Sequence, residues 1–249
     1  MVMGMPAPGI PRPSARHLRA EAAVLHRPSP NFGPRKNGLL PEIVVIHYTA
    51  MESAEAAIAR LSDPAAEVSA HYIIDRQGAV TRLVDEEHRA WHAGAGAWRG
   101  LEDINSRSIG IELDNTGAHP FPEPQMAALE TLLRDIVQRW EILPTNVIGH
   151  SDMAPGRKTD PGPRFDWARL QMRGLAASPD FQPVSEHFRD GFDPAECTEL
   201  LAEIGYTADG PLSAKLQSFR DRFLPASEGP PNGADRLVML SYLNDFGAA

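Results

Sequence analysis

The alternation of apolar and polar positions divides the chain into a β/α region and a later helical one. Glu42–Tyr48, EIVVIHY, is a continuous β-branched apolar run that suits a strand buried on both faces, and it carries His47 to the strand's end. Ser53–Leu61, alanine-rich with a serine in front, predicts a short helix. Ser69–Ile74 and Ala79–Val84 flank Asp75-Arg76-Gln77-Gly78 and predict a hairpin in which Gly78 takes the positive φ. Ser108–Asp114, SIGIELD, alternates strictly: Ile109, Ile111 and Leu113 lie on one face, Gly110, Glu112 and Asp114 on the other. Pro124–Trp140 repeats apolar residues at helical spacing and is the clearest amphipathic helix in the chain.

That helix leads through Leu143-Pro144 into Val147–Asp166, VIGHSDMAPGRKTDPGPRFD. Its prolines and glycines oppose continuous helix or central strand, so His150 is expected at a strand end and Lys158 and Asp160 on a rigid non-helical loop. In an extended loop, residues two apart point the same way, so Lys158 and Asp160 are expected on one side and Thr159 on the other. The order of elements predicts an α/β fold, a mixed central β-sheet flanked by helices. Residues 1–41, rich in proline and glycine, read as an irregular arm with a short helical turn near Ser14–Val24.

Beyond a linker at Gly174–Ser185 the pattern changes. Asp193-Pro194-Ala195-Glu196 is a helix start, Gly205 a stop, and two further helical spacings follow at Leu212–Phe223 and Leu237–Leu243. The expected organisation is a main domain over 1–180 and a small three-helix domain over 186–249.

Composition narrows the function. A net charge of −9 argues against nucleic acid or an anionic membrane surface as partner. A single cysteine, Cys197, excludes an intrachain disulfide. The first 25 residues hold four prolines and three arginines where a secretory signal needs an apolar segment, and no stretch approaches the roughly 20 apolar residues of a membrane span. A cytoplasmic address is expected, with the periplasm as the alternative if a leader has been removed.

Catalytic zinc takes three ligands from His, Asp, Glu or Cys and keeps a position for water. His47 and His150 near strand ends and Asp160 on the rigid loop are such a set, although nine histidines offer other triplets. With a metal there, Glu112 suits a general base for an attacking water and Lys158 a cation at the oxyanion of a carbonyl hydrolysis. The spacing alone equally permits Glu112 as a solvated strand residue and Lys158 as a surface charge.

Five segments, IHYTA (46–50), SAHYII (69–74), WHAGAGAWRG (91–100), SIGIELDN (108–115) and GHSDMAPGRKTDPGP (149–163), carry a resemblance. Together they resemble the zinc-dependent N-acetylmuramoyl-L-alanine amidases of the peptidoglycan-recognition-protein fold, of the bacterial AmpD/AmiD type. Residues 192–244 look like the three-helix peptidoglycan-binding domain some members carry. The resemblance implies Zn2+ held by His47, His150 and Asp160, with Glu112 and Lys158 catalytic and Trp91, His92 and Asn105 near the substrate groove. His71 is expected to be structural. The implied reaction cleaves the amide between N-acetylmuramic acid, or its 1,6-anhydro form, and L-alanine of the stem peptide, with muropeptides or peptidoglycan as partners in cell-wall recycling. A non-catalytic muropeptide-binding protein is the alternative, and a phage-type endolysin a third reading.

Overall fold

The computed structural model describes residues 24–182, 186–187 and 189–247. Strands β1 (Leu25–His26), β2 (Phe32–Pro34) and β3 (Ile43–Tyr48) are followed by helix α1 (Ala54–Ser62), capped by the Ser53 hydroxyl on the Ala56 amide. Then come β4 (Tyr72–Ile74), β5 (Val80–Arg82), β6 (His88–Ala90), α2 (Ile104–Arg107) and β7 (Ser108–Leu113). Helix α3 (Glu123–Trp140), β8 (Val147–Gly149), α4 (His150–Met153) and α5 (Trp167–Met172) complete the β/α region. The last helices are α6 (Pro194–Ile204), α7 (Leu212–Phe223) and α8 (Gly233–Phe246).

Six strands form one mixed sheet in the order β1-β5-β4-β7-β3-β8. The β4–β5 pair is the antiparallel hairpin, with Gly78 at φ +88° where a side chain would be strained, and the other pairings are parallel. The mixed sheet flanked by helices is the architecture the alternation predicts.

Period-two alternation in β3 assigns its residues to two cores. Val44 and Ile46 join Ile109, Ile111 and Leu113 against Met126, Leu129, Leu133 and Ile136 of α3. Ile43 and Val45, with Ile148, face the other way into a core shared with Leu201, Ile204, Tyr206, Leu216, Phe219 and Tyr242 of the C-terminal helices. Those helices therefore cover one face of the sheet directly. His47 lies on the same face as Val45, at the carboxyl end of β3, beyond the part the helices cover.

Two expectations are corrected. The arm is not wholly irregular: Leu25–His26 adds a parallel edge strand to β5, and Phe32–Pro34 pairs antiparallel with β6. Backbone hydrogen bonds make these pairings with exposed side chains, so no hydrophobic period announces them. The stretch after Gly149 is also not free of helix, because His150–Met153 makes one turn before the prolines begin. The helical turn expected near Ser14–Val24 lies outside the described residues apart from Val24.

Candidate active site

The parallel register of β3 and β7 sets His47 directly opposite Glu112, and that of β3 and β8 sets Ile46 opposite Gly149. His150 thus follows the end of β8 at the level of His47. Asp160 arrives from the loop beyond α4, whose chain returns so that the Ser151 amide donates to the Asp160 carbonyl at 2.9 Å. The three side chains converge: His47 Nδ1 lies 2.9 Å from His150 Nδ1, and Asp160 Oδ2 lies 3.0 Å from the first and 3.1 Å from the second. All three are buried.

They form the base of a cavity of about 400 Å³, with Glu112, Lys158, Trp91 and His92 also on its wall. Glu112 Oε2 is fully covered and has no hydrogen-bond partner. Burial, reinforced by Asp160, pushes the Glu112 carboxyl up to about 8, so it holds its proton near neutrality. Burial and then the neighbouring His150 pull His47 down to about 4, which keeps that imidazole neutral.

The donor set suits a metal ion. Two imidazoles and one carboxylate, with ligand atoms all within 4.8 Å of one another, are the nitrogen and oxygen ligands of a catalytic divalent site. His150 Nε2–H donates to the Ala93 carbonyl at 2.9 Å, which leaves the Nδ1 lone pair aimed at the common point.

Other expected positions fall differently. Asn105 is not on the cavity wall; it is buried behind it, where Oδ1 accepts from the amides of His92 at 3.0 Å and Ala93 at 2.8 Å. Thr159 does not point away. The amides of Arg157 and Lys158 both turn back to the Ala154 carbonyl, so the loop is not extended, and Thr159 joins the wall with its hydroxyl 3.1 Å from that of Tyr48. Of the two tryptophans in 91–98, Trp91 faces the cavity and Trp98 is fully buried, edge-on to Tyr206 at 5.2 Å. His71 is satisfied locally: Nδ1 accepts from the Gly110 amide and Nε2 donates to the His88 carbonyl.

Spacing did not single out Arg60 and Arg157, which add positive charge to the cavity wall. Nor did it single out Asp152, buried two residues after His150, whose Oδ2 accepts from the Gly149 amide at 2.7 Å. An acid so close to a proposed ligand was the available signal.

Residues 37–163, which contain the whole cluster, match the N-acetylmuramoyl-L-alanine amidase family. The chain belongs to that family. It is 38% identical to the N-acetylmuramoyl-L-alanine amidase AmiD of Escherichia coli across 83% of each chain. It is 35% identical to the 1,6-anhydro-N-acetylmuramyl-L-alanine amidase AmpD of the same organism across 58% of this chain and 88% of AmpD. A solved structure of E. coli AmiD in complex with anhydro-N-acetylmuramic acid-L-Ala-D-γ-Glu-L-Lys superimposes with a TM-score of 0.77, covering 93% of this chain and 95% of that one at 32% identity. AmpDh3 of Pseudomonas aeruginosa, in complex with an anhydromuramic pentapeptide, gives 0.75 at 29% identity, covering 93% of this chain and 100% of that one. At 93% of this chain, both likenesses extend past residue 163. No helix among the described residues is long and apolar enough to cross a membrane.

Proposed function

We propose that this amidase uses Zn2+ on His47, His150 and Asp160 to hydrolyse the amide between N-acetylmuramic acid, in its ordinary or 1,6-anhydro form, and L-alanine of the stem peptide. The observation that carries the reading is the meeting of three buried ligand residues with Glu112, one of whose carboxyl oxygens is covered and has no hydrogen-bond partner, in one open cavity. The substrate class rests on AmiD and AmpDh3, whose structures hold anhydromuropeptides.

Zinc supplies Lewis acidity, polarising the scissile carbonyl and acidifying water. The residues do the rest. In its ionised form, which a cation held by the neighbouring ligands would favour, Glu112 takes the proton of the attacking water and returns it to the departing L-alanine nitrogen. Lys158, exposed on the wall, places a positive charge beside the oxygen that becomes negative. Trp91 offers an apolar face to the sugar or peptide.

The test is incubation of zinc-loaded protein with an anhydro-muropeptide and mass-spectrometric detection of free stem peptide. Release that a chelator abolishes and zinc restores is expected. Binding without release would instead make the protein a muropeptide recognition module. Fractionation of the native protein decides whether it meets fragments in the cytoplasm or wall in the periplasm, and rates on anhydro-muropeptide against whole sacculi decide which it prefers.

A further inference from the structure

The two histidines at the base of the cavity each have an outer ring nitrogen, and both outer nitrogens are received by consecutive residues of one loop. The Ser108 hydroxyl has a single hydrogen, and that hydrogen is committed to the Ile104 carbonyl at 2.6 Å. Its oxygen must therefore accept from His92 Nε2, 3.1 Å away. With Nε2 as the donor to Ser108, a singly protonated His92 turns its bare Nδ1 toward His47 Nε2, 3.0 Å away. A His47 that ligates through Nδ1 carries its proton on Nε2, and that N–H donates to His92 Nδ1. His47 Nδ1 is left with its lone pair facing His150 and Asp160.

The next residue does the same for the other ligand. The Ala93 carbonyl accepts from His150 Nε2 at 2.9 Å, and from Arg157 Nη2 at 2.7 Å. The pair 92–93 is itself held at both amides by Asn105 Oδ1. His92 has room only because residue 110 is glycine: a Cβ there would lie 2.4 Å from its ring. A ligating histidine's tautomer is set by the hydrogen bond of its other nitrogen, and such outer partners commonly change metal affinity about 10–100-fold.

We propose that His92 and the Ala93 carbonyl, pinned by Ser108 and Asn105, form a tautomer clamp that presets both histidine ligands, and that His92 and Asn105 are positioning residues for the metal site. The inference rests on the zinc reading above and assigns these two residues a task other than substrate contact.

Two measurements test it. In zinc-loaded wild-type protein, long-range ¹H–¹⁵N NMR of the imidazoles should show His47 and His92 both protonated at Nε2; a proton on His92 Nδ1 overturns the clamp without any variant having to fold. By chelator competition, His92→Leu should lose about 10–100-fold in zinc affinity, whereas His92→Asn, which keeps an acceptor near the Nδ1 position, should stay within a few-fold of wild type. Equal affinity in His92→Leu, with a raised KM alone, would make His92 a substrate contact and overturn the clamp while leaving the amidase reading intact. Wild-type protein that takes up no zinc would overturn the amidase reading itself.

Discussion

Glu112 and His47 are direct partners in the β3–β7 register, on the same face of the sheet, so the proposed proton carrier stands one strand spacing from a proposed metal ligand. In a parallel sheet that spacing is about 4.8 Å and is set by backbone hydrogen bonds. No loop has to move to bring the two together. Glu112→Gln keeps shape and volume but cannot carry a proton. It should retain zinc at wild-type content and lose about 10²–10⁴-fold in kcat, read from stem-peptide release beside metal analysis of the same sample. Full turnover in the variant would remove Glu112 from the reaction.

The same carboxyl makes stability depend on pH. Burial raises Glu112 from 4.5 to about 8 in the metal-free fold. A folded pKa above the unfolded one means the contribution is fully present below pH 4.5 and is lost as pH rises through 8, where the folded protein must give up a proton the unfolded chain has already released. Glu112→Gln has no such proton. In chelator, wild type and variant should melt together near pH 4.5. By pH 8 the variant should be the more stable by on the order of 4 kcal/mol, or about 8–16 °C. A melting difference that does not change with pH would show that the carboxyl is not held neutral by the fold.

Asp160 supplies the only negative charge among the three proposed ligands. Asp160→Ala should leave secondary structure unchanged by circular dichroism while zinc affinity falls by more than the roughly 10–100-fold typical of an outer-shell loss. Competition with a chromophoric chelator reads this directly. Retention of one zinc per chain at wild-type affinity would place the metal elsewhere.

What the chain revealed of this site before folding depended on locality. Glu112 was placed opposite the apolar row by strict alternation in Ser108–Asp114, a property of consecutive residues, and the strand with His47 followed from a β-branched run. The helical turn at His150–Met153 was hidden because the prolines and glycines that oppose helix begin just after it. Thr159 departs from the extended-loop expectation because two amides share the Ala154 carbonyl and fold the loop back. The position of Asn105 depends on a bond to a loop 12 and 13 residues earlier, and no periodicity encodes that. The C-terminal helices are legible one by one from their spacing, but not their seat on Val45 and Ile148, since residues more than 50 positions apart meet there only through the tertiary fold.

That seat has a polar centre at Asp152, and it yields a last prediction. Asp152 Oδ1 accepts from Tyr206 at 2.9 Å and Ser218 at 2.7 Å, and Oδ2 faces Arg222 at 3.1 Å, with the pair's side chains 1% and 2% exposed. Arg222 also donates to the Val147 carbonyl and stacks over Trp167. The C-terminal helices thus hold the residue that receives the Gly149 amide, one position before His150. Removing one partner of a buried pair strands the other's charge, at about 3–5 kcal/mol. Arg222→Met should therefore lower the melting temperature by about 10 °C and weaken zinc binding, as the turn carrying His150 loosens. Asp152→Asn added to it should recover part of the loss, because no buried charge is then left unpaired. Arg236→Ala removes a pair whose side chains are 49% and 39% exposed, and its cost should stay below about 1 kcal/mol. If Arg222→Met proved as mild as Arg236→Ala in both melting and zinc affinity, the C-terminal helices would not be supporting the metal-binding turn.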